Sequence, residues 1–159
     1  MIAHHAIRLA LPDDAPRIAG MSRDLIEHGF RWKWTPSSIR GCIRNPAMNV
    51  AVAPADPGIA GFAIMQYKDD EAHLMLLGVD PAQRRKGVAT ALMAWHETAA
   101  LTAGIGTIYL EARAGNAGAR EFYRALGYQE VQYVRGYYAN REDGVRFAKD
   151  LWAHVQAPS

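Results

Sequence analysis

Residues 77–89 read Leu77-Gly78-Val79-Asp80-Pro81-Ala82-Gln83-Arg84-Arg85-Lys86-Gly87-Val88-Ala89. The pattern predicts an apolar strand that stops at Pro81, a tight basic turn, and a helix opening on two small residues, Gly87 and Ala89. The first turn of a helix carries backbone N–H groups without intrahelical partners and the positive end of the helix dipole, so it attracts anions. Small residues there let phosphate oxygens come close to the backbone. Arg84, Arg85 and Lys86 add full positive charges beside it. The stretch reads as a pyrophosphate cradle. A solvated basic turn is the ordinary reading of such charges alone; the apolar strand before them and the paired small residues reverse it. Two other phosphate loops do not fit. A Walker A loop needs Gly-Lys-Ser/Thr, whereas Lys86 precedes Gly87 and no hydroxyl follows at the required place. A Gly-x-Gly-x-x-Gly fingerprint after the first strand is absent.

Working outward, residues 6–11 read as a strand closed by Pro12. Asp13 or Asp14 can cap a helix running to about His28, with Ile18, Met21 and Leu25 on one face. Thr35-Pro36 opens a second helix that ends near Asn45-Pro46. Strands are expected over residues 49–53, 59–67 and 72–79, with turns at 54–58 and 68–70. The helix after the cradle is expected over about 87–103. A strand follows over 107–113, and then a helix over 116–126 with Gly127 as a left-handed cap. Residues 129–138 and 145–152 close the chain as strands. The order is β-α-α-β-β-β-α-β-α-β-β, without internal repeats or a linker long enough to divide it.

The chain has 159 residues, of which 50% are hydrophobic and 21% charged, enough apolar material for one domain and its core. A formal net charge of +2 is too small to indicate nucleic-acid binding, though it suits an anionic ligand. Cys42 is the single cysteine and cannot form an internal disulfide, which fits a reducing, cytoplasmic setting. No apolar run is long enough to span a membrane, and the first residues lack the pattern of a secretory signal. The expectation is one soluble domain, residues 1–159.

Arg84-x-x-Gly87-x-Ala89 resembles the Gln/Arg-x-x-Gly-x-Gly/Ala motif of the GNAT N-acetyltransferases, in which the turn and helix start bind the pyrophosphate of acetyl-CoA. A second segment, Asn116-Ala117-Gly118-Ala119-Arg120-Glu121-Phe122-Tyr123-Arg124-Ala125-Leu126-Gly127-Tyr128, is similar to the family's Asn-x-x-Ala-x-x-x-Tyr-x-x-x-Gly-Phe/Tyr. The resemblance extends over nearly the whole chain and is closest to the RimI type, the ribosomal-protein alanine N-acetyltransferases. His28-Gly29-Phe30-Arg31-Trp32, Leu110-Glu111-Ala112-Arg113 and Arg135-Gly136-Tyr137-Tyr138 with Glu142-Asp143 all match features of that group. Arg31 stands where the group has Pro, residues 33–36 form a slightly longer stretch, and Gly78 stands where Ala is usual. Two of these departures fall in the segment that shapes the acceptor side.

The resemblance implies an α/β (α+β) GNAT acyl-CoA N-acyltransferase fold: a mixed, mostly antiparallel sheet of about seven strands flanked by about four helices. It implies that acetyl-CoA is held by Leu77, Val79, Arg84, Arg85, Lys86, Gly87, Val88, Ala89 and Thr90, together with Asn116 and Tyr123. Glu111 would be the general base, through water, and Tyr123 the general acid at the thioester sulfur. Phe30, Trp32 and Tyr138 would contact the acceptor. The residues agree in part. Strand alternation places Tyr109, Glu111 and Arg113 on one face and Ile108, Leu110 and Ala112 on the other, so Glu111 can face a cleft. A surface salt bridge with Arg113 is the plainer role for Glu111, and a core aromatic beside Phe122 the plainer role for Tyr123. A developing oxyanion would meet a backbone N–H near Gly78 and Val79.

No metal is expected. His4 and His5 are adjacent on a strand and point opposite ways. His73 can assist as a base or be a rim histidine, and Trp34 can line the acceptor groove or anchor the helix connection. An N-terminal amine is the easier acceptor: its pKa of ~7.7–8.0 leaves roughly a tenth neutral at pH 7, whereas lysine at ~10.4 is almost wholly charged. The expected acceptor is the N-terminus of a peptide or protein, a ribosomal protein by resemblance. A small-molecule amine or antibiotic is the alternative, and a non-catalytic acyl-CoA-binding module the second. Neither a membrane nor a direct nucleic-acid partner is expected.

Overall fold

Each helix starts where the local chemistry expects it, with informative exceptions. The computed structural model describes residues 6–155, so His4 and His5 lie outside it. Strand β1 is only Arg8–Leu9, shorter than residues 6–11. Pro12–Asp14 forms a single 3-10 turn before helix α1, Ala15–Met21. Asp14 does not cap α1 with its side chain; it accepts from the Leu11 N–H at 2.8 Å and pairs with Arg8 at 2.8 Å. The helix expected to reach His28 widens into a π turn over Ser22–Ile26, closed by Glu27 N–H donating to the Ser22 carbonyl at 2.7 Å. A wider turn of this kind re-aims the residues after it, here Glu27 and the loop beyond.

Helix α2, Pro36–Arg44, opens as predicted, with Thr35 Oγ1 accepting from the Ser38 N–H at 3.3 Å and Pro36 in the first turn. Strands β2 (Met48–Pro54), β3 (Ile59–Lys68) and β4 (Glu71–Val79) form a meander, followed by helix α3, Val88–Thr102. Strand β5 is Thr107–Arg113 and helix α4 is Ala117–Ala125, after which Gly127 takes the predicted left-handed conformation at φ 95°. Strands β6 (Gln129–Tyr138) and β7 (Glu142–Asp150) form a hairpin. The last strand, expected over residues 145–152, starts earlier and stops at Asp150, whose carboxylate accepts from the Trp152 and Ala153 N–H groups. That cap opens a fifth helix, α5, Leu151–Val155.

The seven strands form one sheet in the order β1-β2-β3-β4-β5-β7-β6, antiparallel except for β4 with β5. The parallel pair is short: Glu71 to His73 align with Thr107 to Tyr109, and then the strands part. From residue 74 to 79, β4 has no strand partner on its β5 side among the described residues. In β4, Met75 is an extra residue, since Ile64 pairs with Leu76 and Met65 with Leu74. A bulge moves the residues after it to the opposite face. Accordingly Ala72 and Leu74 join the core under α3 and α4, whereas Leu76 joins the core under α1 and α2. The first core is built on Leu92, Met93, Leu110, Tyr123 and Phe147; the second on Ile18, Ile39, Val50, Phe62 and Ile64.

Gly78 is explained by the second core. A Cβ at Gly78 would lie 2.7 Å from Cε1 of the fully buried Phe62 ring. Gly78→Ala is therefore expected to lower unfolding free energy by about 1–3 kcal/mol, as overpacking does. Adding Phe62→Leu should recover part of the loss in a denaturant titration; additive losses would show that Phe62 is not the obstacle.

Candidate active site

The parting of β4 from β5 opens a cleft of about 820 Å³. Residues 74–79 form one wall, and Glu111, Arg113, Asn116 and Tyr123 lie along the other. The turn between α1 and α2 lies across it with Leu25, Phe30 and Trp34, and the β6–β7 hairpin closes the rim with Tyr137 and Tyr138. A second recess of about 230 Å³ shares Val79 and Arg84 with the first and continues past Arg85, Gly87, Val88, Ala89 and Thr90. Leu77 lines the main cleft, and Lys86 is exposed in the same turn. The cradle residues thus surround one recess that runs into the cleft.

The turn itself needs its sequence. Arg85 has φ 63° and Gly87 φ 82°, and the left-handed Gly87 is the residue from which α3 departs. Both lie where a side chain is unwelcome and glycine is not. Asn116 accepts from the Ala119 N–H at 3.0 Å, so its side-chain oxygen caps α4 while the residue lines the cleft.

Tyr123 enters from the α3–α4 side of the sheet. It is 7% exposed and packed among Phe122, Tyr128 and Phe147, with its ring edge-on or tilted to each. Burial pushes the phenol well above its ordinary value. Its hydroxyl makes no hydrogen bond to the described residues.

Glu111 enters from the other face, as alternation predicted: Ile108, Leu110 and Ala112 are buried in the first core. The pairing with Arg113 does not form. Instead Glu111 accepts from Arg146 Nε at 2.8 Å and from the Tyr137 hydroxyl at 2.9 Å, and it bonds His73 Nε2 at 2.5 Å. Arg146 faces Glu111 directly across the β5–β7 ladder. Burial raises the carboxyl's pKa, but the hydrogen bond from His73, then that from Arg146, outweigh it and hold Glu111 below the usual carboxylate range. The Glu111 side chain is 5% exposed and His73 32%, so the pair joins the cleft to solvent. Tyr137, pushed up to about 12 by its own burial and then by Glu111, stays a donor.

Arg113 serves the roof. It donates to the Ile26 carbonyl at 2.7 Å, pairs with Glu142 at 3.2 Å, and lies 4.6 Å over the Phe30 ring. Arg141 donates to the Gly29 carbonyl at 2.7 Å. Glu27, buried, accepts from Ser22 Oγ and from the Lys33 and Trp34 N–H groups at 2.7, 2.6 and 3.1 Å. Phe30 and Tyr138 reach the cleft as expected. Trp32 does not: it packs against the second core with Nε1 buried and unpartnered, and Trp34 lines the cleft instead. From the sequence, Arg146 and Glu27 carry no site role, and Tyr137 figures only as part of the matched Arg135-Gly136-Tyr137-Tyr138 segment. Arg146 was readable in principle, since pairing strands 107–113 and 145–152 antiparallel brings it near Glu111. Among the described residues there is no group of three or more potential metal-ligating side chains and no helix long and apolar enough to cross a membrane.

Comparison with known proteins agrees with this geometry. The chain is 40% identical over 111 residues to the [ribosomal protein bS18]-alanine N-acetyltransferase of Salmonella typhimurium, covering 70% of this chain and 73% of that protein. With the Escherichia coli K12 enzyme of the same name it is 39% identical over 93 residues, which span 57% of this chain and 63% of the relative. The crystal structure of the ribosomal-protein-S18-alanine N-acetyltransferase from Escherichia coli superposes with a TM-score of 0.77 at 27% identity, covering 93% of this chain and 94% of that one. The model of the acetyltransferase (GNAT) family matches residues 12–128, and the chain belongs to that family.

Proposed function

We propose that this acetyltransferase moves the acetyl group of acetyl-CoA to the N-terminal α-amino group of a protein in the cytoplasm, with an alanine-starting ribosomal protein as the first acceptor to try. One observation carries the reading: Tyr123, from the first core, and Glu111, from the opposite face of β5, both line the cleft along the open edge of β4. The similarity to bS18-alanine acetyltransferases supports the choice of acceptor.

The residues present suit acetyl-CoA. The Arg84 to Thr90 turn and helix start offer cations, left-handed backbone and small side chains to a pyrophosphate. The unpaired edge of β4 offers N–H and C=O groups to an extended, amide-bearing arm, as a sheet edge does for a peptide. Acetyl-CoA supplies the acetyl thioester. Glu111, held ionised, accepts through water the proton that the amine gives up, and His73 connects that carboxylate to solvent. Tyr123, kept protonated by burial, donates its proton to the departing sulfur. The bulge at Met75 places the irregular part of β4 three residues before Gly78, so the amide that polarises the acetyl oxygen belongs nearer Met75 than to the Gly78–Val79 end.

A polycationic small molecule or antibiotic is the weaker acceptor. The two carboxylates of the cleft, Glu27 and Glu111, each already bond three internal partners.

The test is CoA release with acetyl-CoA and an alanine-starting peptide, beside the same peptide with its N-terminus blocked. Turnover only with the free N-terminus is the expected result; equal turnover with both would move the acceptor to lysine. The pH profile checks the roles. Because Glu111 stays ionised below the usual carboxylate range and Tyr123 stays protonated above its ordinary value, neither limits the rate near neutrality. Between about pH 6 and 10, kcat/KM should rise once, through the amine pKa of ~7.7–8.0, and then level off. A second limb near pH 6 would mean that an imidazole, not Glu111, takes the proton.

A further inference from the structure

We infer that the acceptor is an acidic N-terminal peptide, one whose residues just after the amine carry carboxylates; this rests on the N-terminal reading above and concerns the same cleft. Six charged side chains line that cleft among the described residues: Glu27, Arg31, Lys33, Arg84, Glu111 and Arg113. Both carboxylates are spent. Glu27 holds the loop before α2 through two backbone N–H groups and Ser22. Glu111 is tied to Arg146, His73 and Tyr137.

The cations divide differently. Arg84 lies between the cleft and the phosphate-side recess. Arg113 is paired with Glu142 and bonded to the Ile26 carbonyl. Arg31 and Lys33 remain. Both are exposed at the mouth, and neither side chain has a hydrogen bond, ion pair or ring contact among the described residues. Around them, Arg141 adds a charge bonded only to the Gly29 carbonyl and stacked on Phe30, and Asp24 is engaged by Arg23. Asp143 is turned to the Gly136 N–H and Tyr133. Among the described residues, the mouth therefore offers cations and no uncommitted carboxylate. Arg31 and Lys33 also fall in the stretch where the sequence departs from the RimI pattern.

A peptide whose second to fourth residues are basic would bring like charges against Arg31 and Lys33, while a carboxylate there gains an opposite charge at the rim. Rim charges act on encounter and on KM more than on the chemical step, and they are screened by salt.

The experiment measures kcat and KM for three alanine-starting peptides of equal length, with Asp and Glu, with neutral residues, or with Lys and Arg at positions two to four. The acidic peptide is expected to exceed the basic one by about tenfold in kcat/KM at low salt, as exposed pairs allow. The difference should lie in KM and shrink at high salt. Arg31→Glu combined with Lys33→Glu should abolish or invert the ratio, while Lys68→Glu, an exposed reversal away from the cleft, leaves it in place. Equal rates, or preference for the basic peptide, overturn the inference and leave N-terminal acetylation standing. No turnover on any free N-terminus overturns both.

Discussion

Tyr123→Phe lowers kcat by about 10²–10⁴-fold, the range over which a positioned acid or base contributes, with little change in the affinity for acetyl-CoA. The substitution removes only the hydroxyl. The ring keeps its contacts with Phe122, Tyr128 and Phe147, so the first core is preserved and the protein should unfold at nearly the same denaturant concentration. The hydroxyl has no partner among the described residues to leave stranded, which separates this change from the usual cost of cutting one half of a buried hydrogen bond. Steady-state kinetics beside a direct acetyl-CoA titration decide it. Normal turnover would remove Tyr123 as the acid, and loss of affinity with intact kcat would make it a cofactor contact.

Unfolding free energy should fall by about 3 kcal/mol as pH drops from 6.5 to 4, because of His96. This histidine of α3 is fully buried. Its Nε2 lies 3.0 Å from the Ala63 carbonyl and its Nδ1 is buried without a partner. Burial pushes its pKa down to about 4. In the window between that value and the ordinary 6.5, the unfolded chain takes up a proton that the folded chain refuses, so the stability present above pH 6.5 is lost on acidification. The paired carboxylates Asp14 and Glu111, both held below their usual range, begin to add their own losses as pH approaches ordinary carboxylate values near the acid end of this window, so the part of the decline between pH 6.5 and 5 belongs to His96. Urea titrations at several pH values should show the decline, and His96→Leu should flatten it whatever its effect on absolute stability. A wild-type curve that is level down to pH 4.5 would show that the imidazole escapes to water.

Much of the fold was legible because caps and periodicity act locally. Thr35-Pro36, Gly127 and the small residues after Lys86 do what their chemistry dictates wherever they are placed. The misses share a cause in long-range contacts. The first helix looked continuous to His28, but the Ser22–Glu27 bond widens it, and that bond serves the loop holding Lys33 and Trp34. The last strand reads as continuing to Trp152, yet Asp150 caps a helix whose Trp152 ring packs on Gly106. At the site, alternation placed Glu111 on the cleft face, but its partners come from β4, β6 and β7. Only the register of the sheet selects Arg146 over Arg113. Trp32 and Trp34 stand two residues apart in an irregular loop, where no periodicity tells which one turns inward.

An unpaired strand edge is ordinarily a place where a second molecule can add a strand and start an aggregate. Between residues 74 and 79 that edge is turned into the molecule, with β5 across from it and the α1–α2 turn over it. A strand from another chain would have to thread in lengthwise. The borders where neighbours do arrive are poor templates: β1 has two residues, and β6 is interrupted by an extra residue at Val131 next to the Glu130 cluster with Arg120 and Arg124. The protein thus keeps unpaired hydrogen-bonding groups at its centre, where a slender ligand can use them and a strand from another chain does not reach.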